Sequence, residues 1–149
     1  MDEPTFEHPS LGTLVFAGKY NWWTCNTDIR PECSISFRVS TWTGTDAKIE
    51  SRELLDRAAD YIDWVRKSEA AVRHQIAEQL TGAYNDFWSD DSLPLTSEQV
   101  LDRIVPTSVE LHPDGSSYWY CSDGGLFDGH IIEVRIDVNR SITEVLIAG

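Results

Sequence analysis

The stretch Gly124-Gly125-Leu126-Phe127-Asp128-Gly129-His130 holds the residues best suited to chemistry in this 149-residue chain. His130 stands two residues before Ile132, so on an extended strand both share one face. Asp128 is close to it along the chain. Such a pair would act as a general base and the carboxylate that orients it. A reaction of that kind also needs a nucleophile, and none is marked: there is no Gly-x-Ser-x-Gly elbow and no activated-cysteine motif. The competing reading is structural. A histidine there satisfies loop carbonyls, and the glycines adopt backbone conformations that need positive φ. The structural reading is preferred, with His130 and Asp128 kept as the alternative catalytic pair.

Two further groups of residues suit binding. Asp86, Asp90 and Asp91 cluster around Trp88 at the end of a helical stretch. Carboxylates at a helix C-terminus oppose the macrodipole, so their placement points to a use, such as meeting a basic partner. A calcium loop is a weaker option, because the Asp-x-Asx-x-Asx-Gly spacing is absent. A solvated acidic loop explains them equally simply. Trp22-Trp23 and Tyr118-Trp119-Tyr120 place aromatic rings on both faces of their strands. One face must be core. The other has the composition of an interface hot spot, unless a second layer covers it. The candidate binding residues are therefore Trp22, Trp23, Asp86, Trp88, Asp90, Asp91, Tyr118, Trp119, Tyr120 and Asp128.

Several chemistries are excluded. The three cysteines, Cys25, Cys33 and Cys121, are an odd number and argue for reduced thiols rather than a disulfide framework. Cys25 and Cys33 are spaced to face each other across a hairpin. Without nearby histidines they make a poor zinc site, and His8, His74 and His112 are scattered. No glycine-rich phosphate loop and no basic stripe is present. No metal, cofactor or nucleic acid is expected.

The net charge is −13, from 25 acidic and 12 basic residues. Residues 81–137 carry 11 acids and 2 bases, so most of the excess lies there. A field of this sign repels nucleic acid and anionic membrane and attracts basic proteins. Plain solubility is the simpler explanation of it. The first residues, Met1-Asp2-Glu3-Pro4, have neither the basic nor the apolar segment of a targeting peptide. No run approaches the roughly 20 apolar residues of a membrane span. The expected location is the cytoplasm.

The elements that must position these residues follow from periodicity. The pattern predicts strands over Leu11–Phe16, Tyr20–Thr24 and Ser34–Val39, with a loop over Asn26–Glu32. Apolar residues then recur at three- and four-residue steps from Leu54 to Phe87. Ser68 and Glu69 interrupt that stripe, so it predicts one long helix or two with a break near Lys67–Glu69. Ser51 is a candidate N-cap. Leu95-Thr96-Ser97-Glu98-Gln99-Val100 reads as a capping box with a hydrophobic staple, opening a short helix that Pro106 stops. Four strands follow, over Ser108–Leu111, Tyr118–Cys121, Ile131–Val138 and Thr143–Ala148. Ile132, Val134, Ile136 and Val138 share the inward side of the third of these. The prediction is a single α+β domain over 1–149: an antiparallel meander of order βββ-αα-ββββ, with the helix or helix pair on one face.

The helix ending Asn85-Asp86-Phe87-Trp88, the capping-box helix and the tail Phe127, Gly129, His130 followed by two strands occur in that order. In this the chain resembles a bacterial family of unknown function, over roughly residues 10–149. Related uncharacterised domains are suspected immunity proteins of toxin systems. The resemblance thus implies a protein partner, a basic toxin among them, and brings no established catalytic residue. A cytosolic binding protein that neutralises a toxin is the expected function. A small enzyme at His130 and Asp128, or a subunit that self-associates through its aromatic face, are the alternatives.

Overall fold

A computed structural model describes residues 4–41, 51–88 and 94–148. Among these residues, eight strands form one sheet in strict chain order. They are β1 (Thr5–His8), β2 (Gly12–Ala17), β3 (Trp22–Arg30), β4 (Cys33–Ser40), β5 (Val105–Leu111), β6 (Ser117–Ser122), β7 (Ile131–Ile136) and β8 (Ile142–Ala148). Between β4 and β5 the chain forms the helix α1 (Ser51–Ala83), a π-helical turn (Tyr84–Trp88) and the short helix α2 (Ser97–Leu101). The fold is α+β, with α1 lying across the inner face against β3, β4 and β8. No described helix is long and apolar enough to cross a membrane.

The sheet departs from the predicted meander at three places. β1 is an additional strand, only four residues long and set between Pro4 and Pro9. Its pairing with β2, Phe6 against Leu14 and His8 against Gly12, specifies it, and four residues carry too little periodicity to read. β3 runs through Asn26–Arg30, where a loop was predicted. Pairing with β4 and burial of Thr27 and Ile29 override the weak strand preference of Asn and Asp. β4 and β5 pair in parallel, from Ser36 against Ser108 to Val39 against Leu111. A crossover as long as α1 permits that, whereas the short connections elsewhere give antiparallel neighbours.

α1 continues for 33 residues without the break considered near Lys67–Glu69. Glu69 occupies a core position at 3% exposure, and the guanidinium Nε atoms of Arg30 and Arg73 lie 3.4 and 3.0 Å from its carboxylate. The interruption of the apolar stripe is thus a buried charge with partners, not a helix end. Ser51 is the first helical residue rather than a cap. Ahead of α2 both capping-box bonds form: Thr96 Oγ1 accepts from the Gln99 N–H at 3.2 Å, and Gln99 Oε1 accepts from the Thr96 N–H at 2.9 Å. The helix ends at Leu101, earlier than predicted, and Pro106 sits inside β5 at a bulge.

The core lies between α1 and the inner sheet face. Phe37, Trp119, Ile35, Ile132, Leu55 and Ile62 are among its fully buried members. Val138 is 55% exposed, not inward, because β7 ends at Ile136. Cys25 stands opposite Phe37 and Cys33 opposite Arg30, so the hairpin does not bring the two thiols face to face. All three cysteines are unbridged and buried. Burial pushes Cys25 up to about 11 and Cys121 up to about 12, so both stay protonated and unreactive near neutral pH.

Candidate functional site

Strand alternation sends every second side chain of β3 to β8 away from α1. No described element covers that outer face. Its registers form rows that run across the sheet. One row is Thr24, Arg38, Glu110, Tyr118, Arg135 and Glu144. The next is Ser36, Ser108, Tyr120, Glu133 and Leu146. Cations, carboxylates and rings mix along the first, so opposite charges meet on neighbouring strands.

The geometry is interlocked. The Arg38 guanidinium lies 4.9 Å from the Trp22 ring and 5.6 Å from that of Tyr120, and it donates to Ser108 Oγ at 3.1 Å. Tyr20 stacks on Trp22 at 4.8 Å. Arg135 lies 5.4 Å from the Tyr118 ring, with Glu133 at 3.0 Å and Glu144 at 3.4 Å. His112 packs edge-on to Tyr118 at 4.5 Å and reaches Glu110 at 3.5 Å. The hydrogen bond from His112, helped by the Arg38 charge, holds Glu110 below the usual carboxylate range against its burial. Burial, together with Glu110 and Glu133, pushes the Tyr120 phenol up. The face therefore presents phenol hydroxyls, ring surfaces and ionised carboxylates, with its arginines already stacked. Rings fixed by stacking lose little rotamer freedom when a partner covers them.

Of the predicted binding residues, Trp22, Tyr118 and Tyr120 lie together on this face. Trp23 and Trp119 do not. Trp23 packs on Phe6 and Phe16 in the core. Trp119 is fully buried and donates its indole N–H to the Tyr61 hydroxyl at 2.9 Å, which also hydrogen-bonds Ser117. Alternation makes this division unavoidable, so these two tryptophans are corrected from surface to core. Asp86 is exposed on the π-helical turn, apart from the outer face. Its neighbour Asn85 clasps the backbone of Leu95, donating to the carbonyl and accepting from the N–H, both at 3.0 Å. Asp90, Asp91 and the side chain of Trp88 lie outside the described residues.

The Gly-rich stretch between β6 and β7 is organised by Asp123, which the sequence marks as the start of an Asp123-Gly124-Gly125 turn but not as the group that holds the whole stretch. Its buried carboxylate accepts the N–H groups of Gly125, Phe127 and Gly129, each at 2.9 Å. The signal was available: an aspartate directly after a strand and before two glycines is an Asx-turn signature. Asp128 is exposed at φ 57°, and the half-buried His130 ring donates from Nδ1 to the Phe127 carbonyl.

Two other constellations were not legible because distant segments build them. A cavity of about 700 Å³ lies between the first turns of α1, the β5–β6 turn and the β7–β8 turn, with Leu54, Tyr61, Leu111 and His112 in its wall. At its rim Arg57 pairs with Glu53 at 2.7 Å and Arg140 with Asp60 at 3.0 Å, so both cations are compensated. His8 donates from Nε2 to Asp56 at 2.8 Å and accepts the Ser10 N–H at Nδ1 at 3.1 Å. With both nitrogens engaged, that pair ties β1 to α1. No cluster of potential metal ligands occurs among the described residues.

A family model described as "Uncharacterized protein conserved in bacteria (DUF2262)" matches residues 8–147. No curated protein matches the chain, and no solved structure does.

Proposed function

The chain belongs to this family of uncharacterised bacterial proteins, and from that premise we propose that it is an acidic protein-binding domain whose outer sheet face meets a basic partner. The observation that carries the reading is the Trp22–Arg38–Tyr120 stack on a face no described element covers. Trp, Tyr and Arg are the residue types that dominate binding energy when a partner excludes water from them. Glu110 and Glu133 on the same face supply contacts for a cationic surface. The net charge of −13 steers such a partner at long range. The partner class proposed is a toxin held inactive by occlusion of its active site, in the cytoplasm, where unbridged thiols are stable.

The test is differential capture. Tagged protein and a Trp22→Ala/Tyr120→Ala double variant are incubated with lysate of the source cells at low and high salt. The reading expects a basic protein retained by the unaltered domain at low salt and lost from the double variant, whose melting transition stays cooperative. Identical captures by both proteins at every salt concentration would refute it.

A further inference from the structure

We infer that β8 is a self-association edge, through which two copies of this chain pair antiparallel about a two-fold axis and extend the sheet. An outermost strand carries unpaired N–H and C=O groups along its free side, and proteins protect such edges unless they are used. The two edges of this sheet are treated differently. β1 is four residues long, closed at each end by a proline, and carries Glu7. β8 is seven residues long, Ile-Thr-Glu-Val-Leu-Ile-Ala, without proline or lysine.

Apart from the exposed Thr143 and Glu144, the side chains of β8 are apolar on both faces. Towards α1, Ile142, Val145 and Ile147 are only half-buried at the rim of the core. On the outer face Leu146 and Ala148 are half-buried, and Ile131, paired with Ala148, is 53% exposed. A neighbouring strand would cover both sets at once.

Charge selects a second copy as the occupant. Two molecules of net charge −13 repel over most of their surfaces. Residues 138–149, which include β8, hold one acid and one base. Their charges are already paired within the chain, Glu144 with Arg135 at 3.4 Å and Arg140 with Asp60 at 3.0 Å. The edge is thus a neutral, apolar strip on an acidic molecule, complementary to itself and offering little to a basic protein. A two-fold axis near Val145 or Leu146 sets this strip against its own copy and keeps Val145 and Ile147 on the inner side. With β1 protected, the described residues leave one open edge per molecule, so assembly stops at two. The outer faces of both copies stay accessible on one continuous sheet.

Sedimentation velocity over a concentration series, at low and high salt, tests this on the full chain. The expected species is twice the 16.9 kDa of one chain, with no larger assembly. Salt should strengthen it by screening the like charges, the opposite of its effect on a basic partner. Leu146→Lys should weaken the dimer at least about tenfold. Ile131→Lys, at a mostly exposed position where folding is unaffected, should weaken it likewise, and Trp22→Ala should leave it unchanged. A chain monomeric into the high-micromolar range at high salt overturns the inference. So does a dimer that resists both lysine variants, or one dispersed by Trp22→Ala.

Discussion

Asp123 shows how much a single side chain can decide. Burial alone would raise its carboxyl, yet the N–H groups of Gly125, Phe127 and Gly129 together hold it below the usual carboxylate range. A group whose folded pKa is depressed stabilises the protein above its unfolded value, and that contribution fades as pH falls through the folded one. Asp123→Asn should therefore lower the urea midpoint near neutral pH by about 2 kcal/mol in equivalent stability. It should also flatten the loss of stability expected of the unaltered protein as pH falls through the carboxylate range. Tyr61 makes a second residue-scale case. Its hydroxyl serves Trp119 and Ser117 in the core, and burial pushes its phenol up. Tyr61→Phe leaves both partners unsatisfied and should cost about 1–3 kcal/mol by chemical denaturation. At this scale the sequence announced residue types but not faces. Trp22 and Trp23 are adjacent and chemically identical, and strand register alone makes one a surface ring and the other core.

Elements met through backbone contact are as specific as those met through side chains. Gly124 lies at φ 59°, and a Cβ there would stand 2.6 Å from both the Cβ and the carbonyl oxygen of Arg103. The loop after α2 and the loop after β6 are pressed together at that point. Gly124→Ala should lower the melting temperature, by more than the roughly 1 kcal/mol of an uncrowded glycine substitution. Glu69 has the corresponding role inside α1. Glu69→Ala leaves Arg30 and Arg73 beside the core without their carboxylate and should cost about 3 kcal/mol. Elements with strong local signals were readable: α1 from its stripe, α2 from its capping box, β7 from its alternation. β1, the second half of β3 and the parallel β4–β5 pair were not. Each is specified by a strand that lies elsewhere in the sequence, so no local pattern records it.

For the molecule as a whole, the sheet separates two surfaces with opposite demands. The inner face is sealed by α1. The outer face carries stacked rings, guanidiniums and carboxylates. The composition held the aromatic surplus on which the proposed binding role rests and could not say which rings were exposed; the fold reduces five aromatic candidates on β3 and β6 to Trp22, Tyr118 and Tyr120. Calorimetric titration of the purified captured partner into the unaltered domain and the Trp22→Ala/Tyr120→Ala variant measures the central claim most directly. The account predicts a dissociation constant at least about tenfold higher for the variant, and weaker binding by the unaltered domain as salt rises. Equal affinity of the two proteins for that partner would contradict it.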